Sequence, residues 1–120
     1  MINANLINMK VVPKLVAPVV IYLVAFMPGA GAVNTQRITQ YAGRLLTPLQ
    51  YVAAIELWTK ESNLRLNARN GSHYGICQGR SAYLKHANYR QQVRWCISYA
   101  YNRYGSMTAA LAYWKVHKWH

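Results

Sequence analysis

The sequence predicts an all-α domain. Three observations carry that expectation. Apolar residues recur at three- and four-residue spacing through most of the chain after residue 35. Capping signals stand where those runs begin and end, at Thr47-Pro48 and at Gly105-Ser106. No run alternates with period two for long enough to argue for a strand. There is no internal repeat, and at 120 residues there is room for one domain.

The first element is apolar. From Leu15 to Gln36 no residue is charged, with Lys10 and Lys14 before the run and Pro28-Gly29-Ala30-Gly31-Ala32 within its second half. A basic start, a short apolar core and Ala30-x-Ala32 read as a secretory signal cleaved after Ala32. A retained membrane anchor formed by residues 15–33 competes with that reading, because the run reaches the roughly 20 residues that span a bilayer. Pro18 weakens a long helix there without forbidding one in a membrane. A buried soluble helix is the third alternative. Residues 1–32 are therefore expected to be a signal peptide or membrane anchor, and 37–120 the functional domain.

In that domain Ile38, Tyr41, Ala42, Leu45 and Leu46 predict a helix over 35–46, with Thr35 as its N-cap. Thr47 caps a second helix that opens on Pro48 and runs to Ser62. Residues 63–79 carry Asn67, Asn70-Gly71-Ser72 and Gly75, and read as a loop. A short helix is expected over 80–87. Val93, Cys96, Ile97, Ala100 and Tyr104 mark the strongest helix, 89–104, which Gly105 ends in the C′ position. Ser106 then caps a last helix over 107–117.

Composition narrows the chemistry. The formal net charge is +12, with no aspartate and only two acidic residues, Glu56 and Glu61. Loss of residues 1–32 would remove Lys10 and Lys14 and still leave twelve basic residues against two acids. Such a field attracts polyanions, among them nucleic acid, anionic lipid and bacterial cell wall. The four tryptophans, Trp58, Trp95, Trp114 and Trp119, are expected to supply much of a modest core. Cys77 and Cys96 either form a disulfide, as an even count in an exported protein favours, or pack as two buried thiols.

Any reaction that needs a carboxyl must use Glu56 or Glu61. Glu56 precedes Lys60 by four residues, the favourable order for an exposed ion pair. Glu61 follows Leu57 by four and Trp58 by three, so it belongs to the edge of their buried stripe at the C-terminal end of its helix. Burial and the negative end of the helix dipole both disfavour the ionised form there, as a general acid requires. The structural alternative is a helix-end residue paired with Arg65. Five residues along a helix turn about 500°, so the two carboxyls point roughly 140° apart. They cannot both face one scissile bond in the usual glycosidase arrangement. A mechanism with one acid must take its nucleophile from the substrate or from water.

From Glu56 onward the chain resembles the lytic transglycosylase branch of the lysozyme-like superfamily. The resemblance rests on a helix ending in Glu61-Ser62, then Asn67-Ala68-Arg69-Asn70, then Tyr74-Gly75-Ile76-Cys77-Gln78. It continues with Tyr99-Ala100-Tyr101-Asn102-Arg103-Tyr104-Gly105 and closes on Ala109-Ala110-Leu111-Ala112-Tyr113-Trp114 and Trp119. Five elements occur in order over about 65 residues. The resemblance implies a small lysozyme-like helical domain that cleaves the bond between N-acetylmuramic acid and N-acetylglucosamine. It implies Glu61 as catalytic acid and base, and Ser62 and Gln78 in the cleft. Tyr99 would reach toward the acid, and Tyr74 and Tyr113 would pack against sugar faces. The implied partner is the peptidoglycan glycan strand, in an exported, wall-facing or virion-associated setting, with no cofactor and no metal. The chain departs from the pattern in its short segment after Gln78, in Asn88-Tyr89 where Asn-Pro is usual, and in Lys118-Trp119-His120 at the end.

Other classes fit less well. A Ser-His-Asp triad has no aspartate to use. A Cys-His peptidase on Cys77 with His86 or His117 lacks a supporting motif, and zinc on Cys77, Cys96, His117 and His120 lacks regular spacing. Calcium and magnesium lack anionic oxygen ligands, and no phosphate-cradling glycine loop occurs. Two alternatives remain. One is a hydrolytic muramidase on the same site. The other is a non-catalytic cationic binder of cell wall or nucleic acid, with Arg90, Arg94 and Arg103 on or near one helix. No specific nucleic acid is expected, because such a binder gains nothing from a carboxyl on an apolar stripe.

Overall fold

A computed structural model of the chain describes residues 29–119. The apolar run read as a signal or anchor lies almost entirely outside these residues. Among the described residues no helix is long and apolar enough to cross a membrane.

The described chain is mostly helical: α1 (Ala30–Leu45), α2 (Pro48–Ser62), α3 (Tyr89–Tyr104) and α4 (Met107–His117). A 3-10 turn, Ala82–Lys85, stands where the short helix was expected. The helix α1 begins earlier than its pattern predicts. Gly29 takes the N-cap position and Thr35 lies inside the helix, its hydroxyl donating to the Gly31 carbonyl one turn back. Thr47 stands at the α2 N-cap without a side-chain capping bond, ahead of Pro48. The other boundaries follow local chemistry. Asn88 and Gln91 form a reciprocal capping box on α3, and Gly105 ends it with φ +91°. The Ser106 hydroxyl accepts from Ala109 N at the start of α4.

The loop reading of 63–79 needs one correction, because the segment contains a small antiparallel hairpin. Strands β1 (Arg69–Asn70) and β2 (His73–Tyr74) pair Arg69 with Tyr74 and Asn70 with His73. The connection is two residues, Gly71-Ser72, and Gly71 takes φ +62°, which glycine adopts without steric cost. Two-residue strands are too short to show alternation, so only the Gly-Ser dipeptide marked them in the sequence.

Each helix packs on two others: α2 on α4 and α1, and α3 on α4 and α1. The core between them holds Ile38, Ala54, Leu57, Trp58, Ile76, Val93, Ala100 and Met107. Trp58 is fully buried, and its truncation to alanine would cost about 3–5 kcal/mol. The other tryptophans correct the expected core. Trp95 and Trp114 are only partly buried, and Trp119 is 51% exposed.

Cys77 and Cys96 form a disulfide that ties the segment after the hairpin to α3. The Gln92 side chain, itself buried, ties the same region a second time. Its Oε1 accepts from Ile76 N at 2.9 Å, and its Nε2 donates to the carbonyls of Leu66 and Ala87. Gly75, at φ +78°, lies against that amide, where a β-carbon would collide with it.

Candidate active site

Glu61 is the penultimate residue of α2. The stripe Ala54, Leu57 and Trp58 is buried, and one turn beyond Leu57 the Glu61 side chain is left half-buried. The chain departs from the helix at Asn63 and Leu64, both left-handed at φ 56° and 59°. A left-handed leucine costs on the order of 1 kcal/mol, which its nearly complete burial offsets.

Helix α4 packs along α2 and supplies a partner to each glutamate. Trp114 Nε1 donates to Glu61 Oε1 at 2.8 Å. Lys115 Nζ lies 3.4 Å from Glu56 Oε2, with the Glu56 side chain 40% exposed. The expected pair of Glu56 with Lys60 is therefore replaced. Lys60 lies over the Trp114 ring, 5.3 Å from its centroid, and Lys118 lies 5.2 Å from it. Arg65, offered as the structural alternative partner for Glu61, donates its Nε to the Ser62 carbonyl.

Glu61 opens onto a depression of about 360 Å³. Asn70, His73, Gln78, Lys118 and Trp119 complete its lining. Three local features build this wall. The hairpin presents Asn70 and His73, a directly opposed pair, on one side. Gln78 sits in a turn in which its N–H and its side-chain amide both donate to the Gly75 carbonyl. Its positive φ of 51° is held by the paired backbone of Tyr74 and Gly79 and by the disulfide at Cys77. Finally, Lys118 takes the left-handed conformation that ends α4, and Trp119 follows it onto the depression.

The expected site residues separate into three groups. Glu61 and Gln78 share the depression. Ser62 is buried beside it, and its hydroxyl is engaged with the carbonyls of Trp58 and Ile76, the latter at 2.6 Å. It thus ties the end of α2 to the chain that carries Gln78. Tyr74 faces away: adjacent strand residues point to opposite sides, and Tyr74 lines a second pocket with Arg69, its cross-strand partner. Tyr99 and Tyr113 are not among the lining side chains. Tyr99 stacks on Trp95 at 5.2 Å and accepts from Arg103 at 3.3 Å. Tyr113 packs edge-on against Trp119 with centroids 5.4 Å apart, and so supports the aromatic wall from behind. Burial pushes the phenol of the neighbouring Tyr104 above its ordinary value, with the Arg103 charge opposing.

Sequence reasoning missed His73, Lys118 and Trp119 as lining residues, and Trp114 as the carboxyl's partner. Asn70 was visible only as a loop asparagine. No periodicity marks any of them, since each owes its place to a turn or a cap or to helix packing. Chemically, the depression offers one carboxyl among two amides, an imidazole, an ammonium and an indole face. Among the described residues no three His, Cys, Asp or Glu side chains come together as a metal site would require. Comparison of the chain with protein-family models, with curated proteins and with solved structures yields no match.

Proposed function

We propose that this chain is a peptidoglycan lytic transglycosylase, a lysozyme-like helical domain that uses Glu61 as its single acid and base. The observation that carries the reading is the separation of the two carboxyls. Glu61 opens onto a polar depression, while Glu56 is held in an exposed pair with Lys115. A two-carboxylate mechanism has no second group to use, and a route needing one carboxyl fits.

In that route Glu61 gives its proton to the glycosidic oxygen as the bond to the muramic C1 breaks. The substrate's acetamido group stabilises the electron-poor C1. Glu61, now a carboxylate, takes the proton of the C6 hydroxyl, whose oxygen closes on C1 to give a 1,6-anhydro ring. The Trp114 N–H would hold the carboxyl in one orientation through this cycle. Gln78 and Asn70 would bind hydroxyl and acetamido groups, and Trp119, backed by Tyr113, would meet a sugar face. The disulfide suits an oxidising compartment and so supports export, through either a cleaved signal or a retained anchor in residues 1–32.

Digestion of purified peptidoglycan with mass analysis of the products tests the reading. Wild type should release anhydro-muropeptides. Glu61→Gln should lose about 10²–10⁴-fold in rate, and Glu56→Gln should stay close to wild type. Reducing-end products from wild type would identify a hydrolytic muramidase instead. Equal rates for wild type and Glu61→Gln would remove Glu61 from the chemistry. A purely cationic binder would leave the glycan uncut.

A further inference from the structure

On the other side of the hairpin lies a second pocket of about 180 Å³, with Arg69, Tyr74, Lys85 and His86 in its wall. Its electrostatics are unbalanced. The Arg69 guanidinium is 5.2 Å, and the Lys85 ammonium 5.3 Å, from the centroid of the same Tyr74 ring. One aromatic ring thus gathers two like charges, and His86 adds a third basic group beside them. Arg69 Nε donates to the Gly71 carbonyl within the hairpin, which fixes the direction of its fork. No acidic side chain lines this pocket. The chain's two glutamates are engaged elsewhere, Glu56 with Lys115 and Glu61 with Trp114. Converging cations without an internal counter-charge repel one another, and an external oxyanion relieves that repulsion. The ring meanwhile attracts both cations and keeps them together.

Placement identifies the anion. Asn70 and His73 line the depression at Glu61, and the residues adjoining them in sequence, Arg69 and Tyr74, line the basic pocket. The two sites are the two faces of one hairpin. An anion on a short peptide tether from a sugar at Glu61 would have to pass around the hairpin, and three to five extended residues offer about 10–18 Å of reach. We propose that the Arg69–Lys85–His86 pocket binds a carboxylate of the peptide stem attached to the muramic acid being cleaved, so that the domain selects glycan that still bears its peptides. This rests on the peptidoglycan reading above, and it adds a specificity site that the glycosidic chemistry does not need.

The test measures binding, not cleavage. Glu61→Gln protein is co-sedimented with three wall preparations: intact sacculi, sacculi stripped of stem peptides by an amidase, and sacculi freed of phosphate polymers. The expected result is binding about 10-fold weaker to peptide-stripped glycan than to intact sacculi, with phosphate removal making little difference. Adding Arg69→Gln and Lys85→Gln should lower binding to intact sacculi to the stripped level and leave binding to stripped glycan unchanged. Both side chains are exposed, and retention of the helical circular-dichroism spectrum shows that the variant is folded. Lys85→Glu alone provides a second variant with the same expected direction. Equal binding to intact and stripped glycan, or an equal loss by the variant on both, would overturn the proposal. Loss of binding only on removal of phosphate polymers would assign the pocket to phosphate and overturn the stem assignment. If wild type fails to produce anhydro products while the peptide preference persists, the pocket stands and the transglycosylase reading falls alone.

Discussion

Glu61 and Trp114 lie 53 residues apart in the chain, yet a hydrogen bond ties the candidate acid to the indole. An indole N–H bound to a carboxyl is a directional constraint, and hydrogen bonds to charged groups contribute about 1.5–3 kcal/mol. Trp114→Phe keeps an aromatic ring and removes only the donor. We expect kcat to fall roughly 10–100-fold on peptidoglycan while KM changes little, read from initial rates of muropeptide release. A large rise in KM at constant kcat would mean that the indole serves substrate binding instead. The same scale explains why Glu56 was assigned to the surface correctly but given the wrong partner. Helical spacing offered Lys60 from its own helix, while α4 delivers Lys115 to Glu56 and lays Trp114 under Lys60.

The hairpin and the turn after it hold half of the site lining at the scale of elements, and little regular structure of their own stabilises them. They are fastened from outside. Ser62 holds Ile76 from α2, the disulfide holds Cys77 from α3, and Gln92 holds Ile76, Leu66 and Ala87 together. Gln92 sits where an apolar residue would match its position on the buried stripe of α3, so its amide has a structural role in the loop. Gln92→Leu fills the volume but leaves one buried donor and two acceptors without that partner. The expected loss is about 3 kcal/mol, a fall in Tm of roughly 12–24 °C for a domain of this size, measured by thermal melting. A shift under 4 °C would show that the loop keeps its shape without the clamp.

At the largest scale, the four helices among the described residues enclose a small core, and the disulfide closes a loop with a sequence separation of 19. Chain-entropy reasoning gives such a link about 3 kcal/mol. Thiol reduction should therefore lower Tm and, because Cys77 adjoins Gln78, should also lower the proposed lytic activity at temperatures where the fold persists. Parallel melting and activity curves with and without reductant read both effects. Unchanged activity in the reduced, folded protein would separate the disulfide from the site. The strongly positive surface acts at this scale too. With only two acids in the chain, its cations mostly lack carboxylate partners and remain available to an anionic polymer.

Much was legible in the sequence because it is local. Helix extents at 48–62, 89–104 and 107–117 follow from apolar spacing and from Pro48, Gly105 and Ser106, each acting within about one turn. The different placement of Glu56 and Glu61 was legible because only two carboxyls exist and helical geometry points them apart. The start of α1 was not, since Thr35 resembles a cap while the small residues before it continue the helix. The hairpin was not either, because two-residue strands have no period. Only the tertiary structure decided that Cys77 joins Cys96 and that Trp114 holds Glu61. It also decided that Trp119 lines the depression instead of filling the core, and that Tyr74 turns to the far side with Arg69 and Lys85. These are contacts between residues distant in sequence. They depend on how α4 lies along α2 and how the hairpin is pinned to α3, and no pattern within a few residues encodes either arrangement.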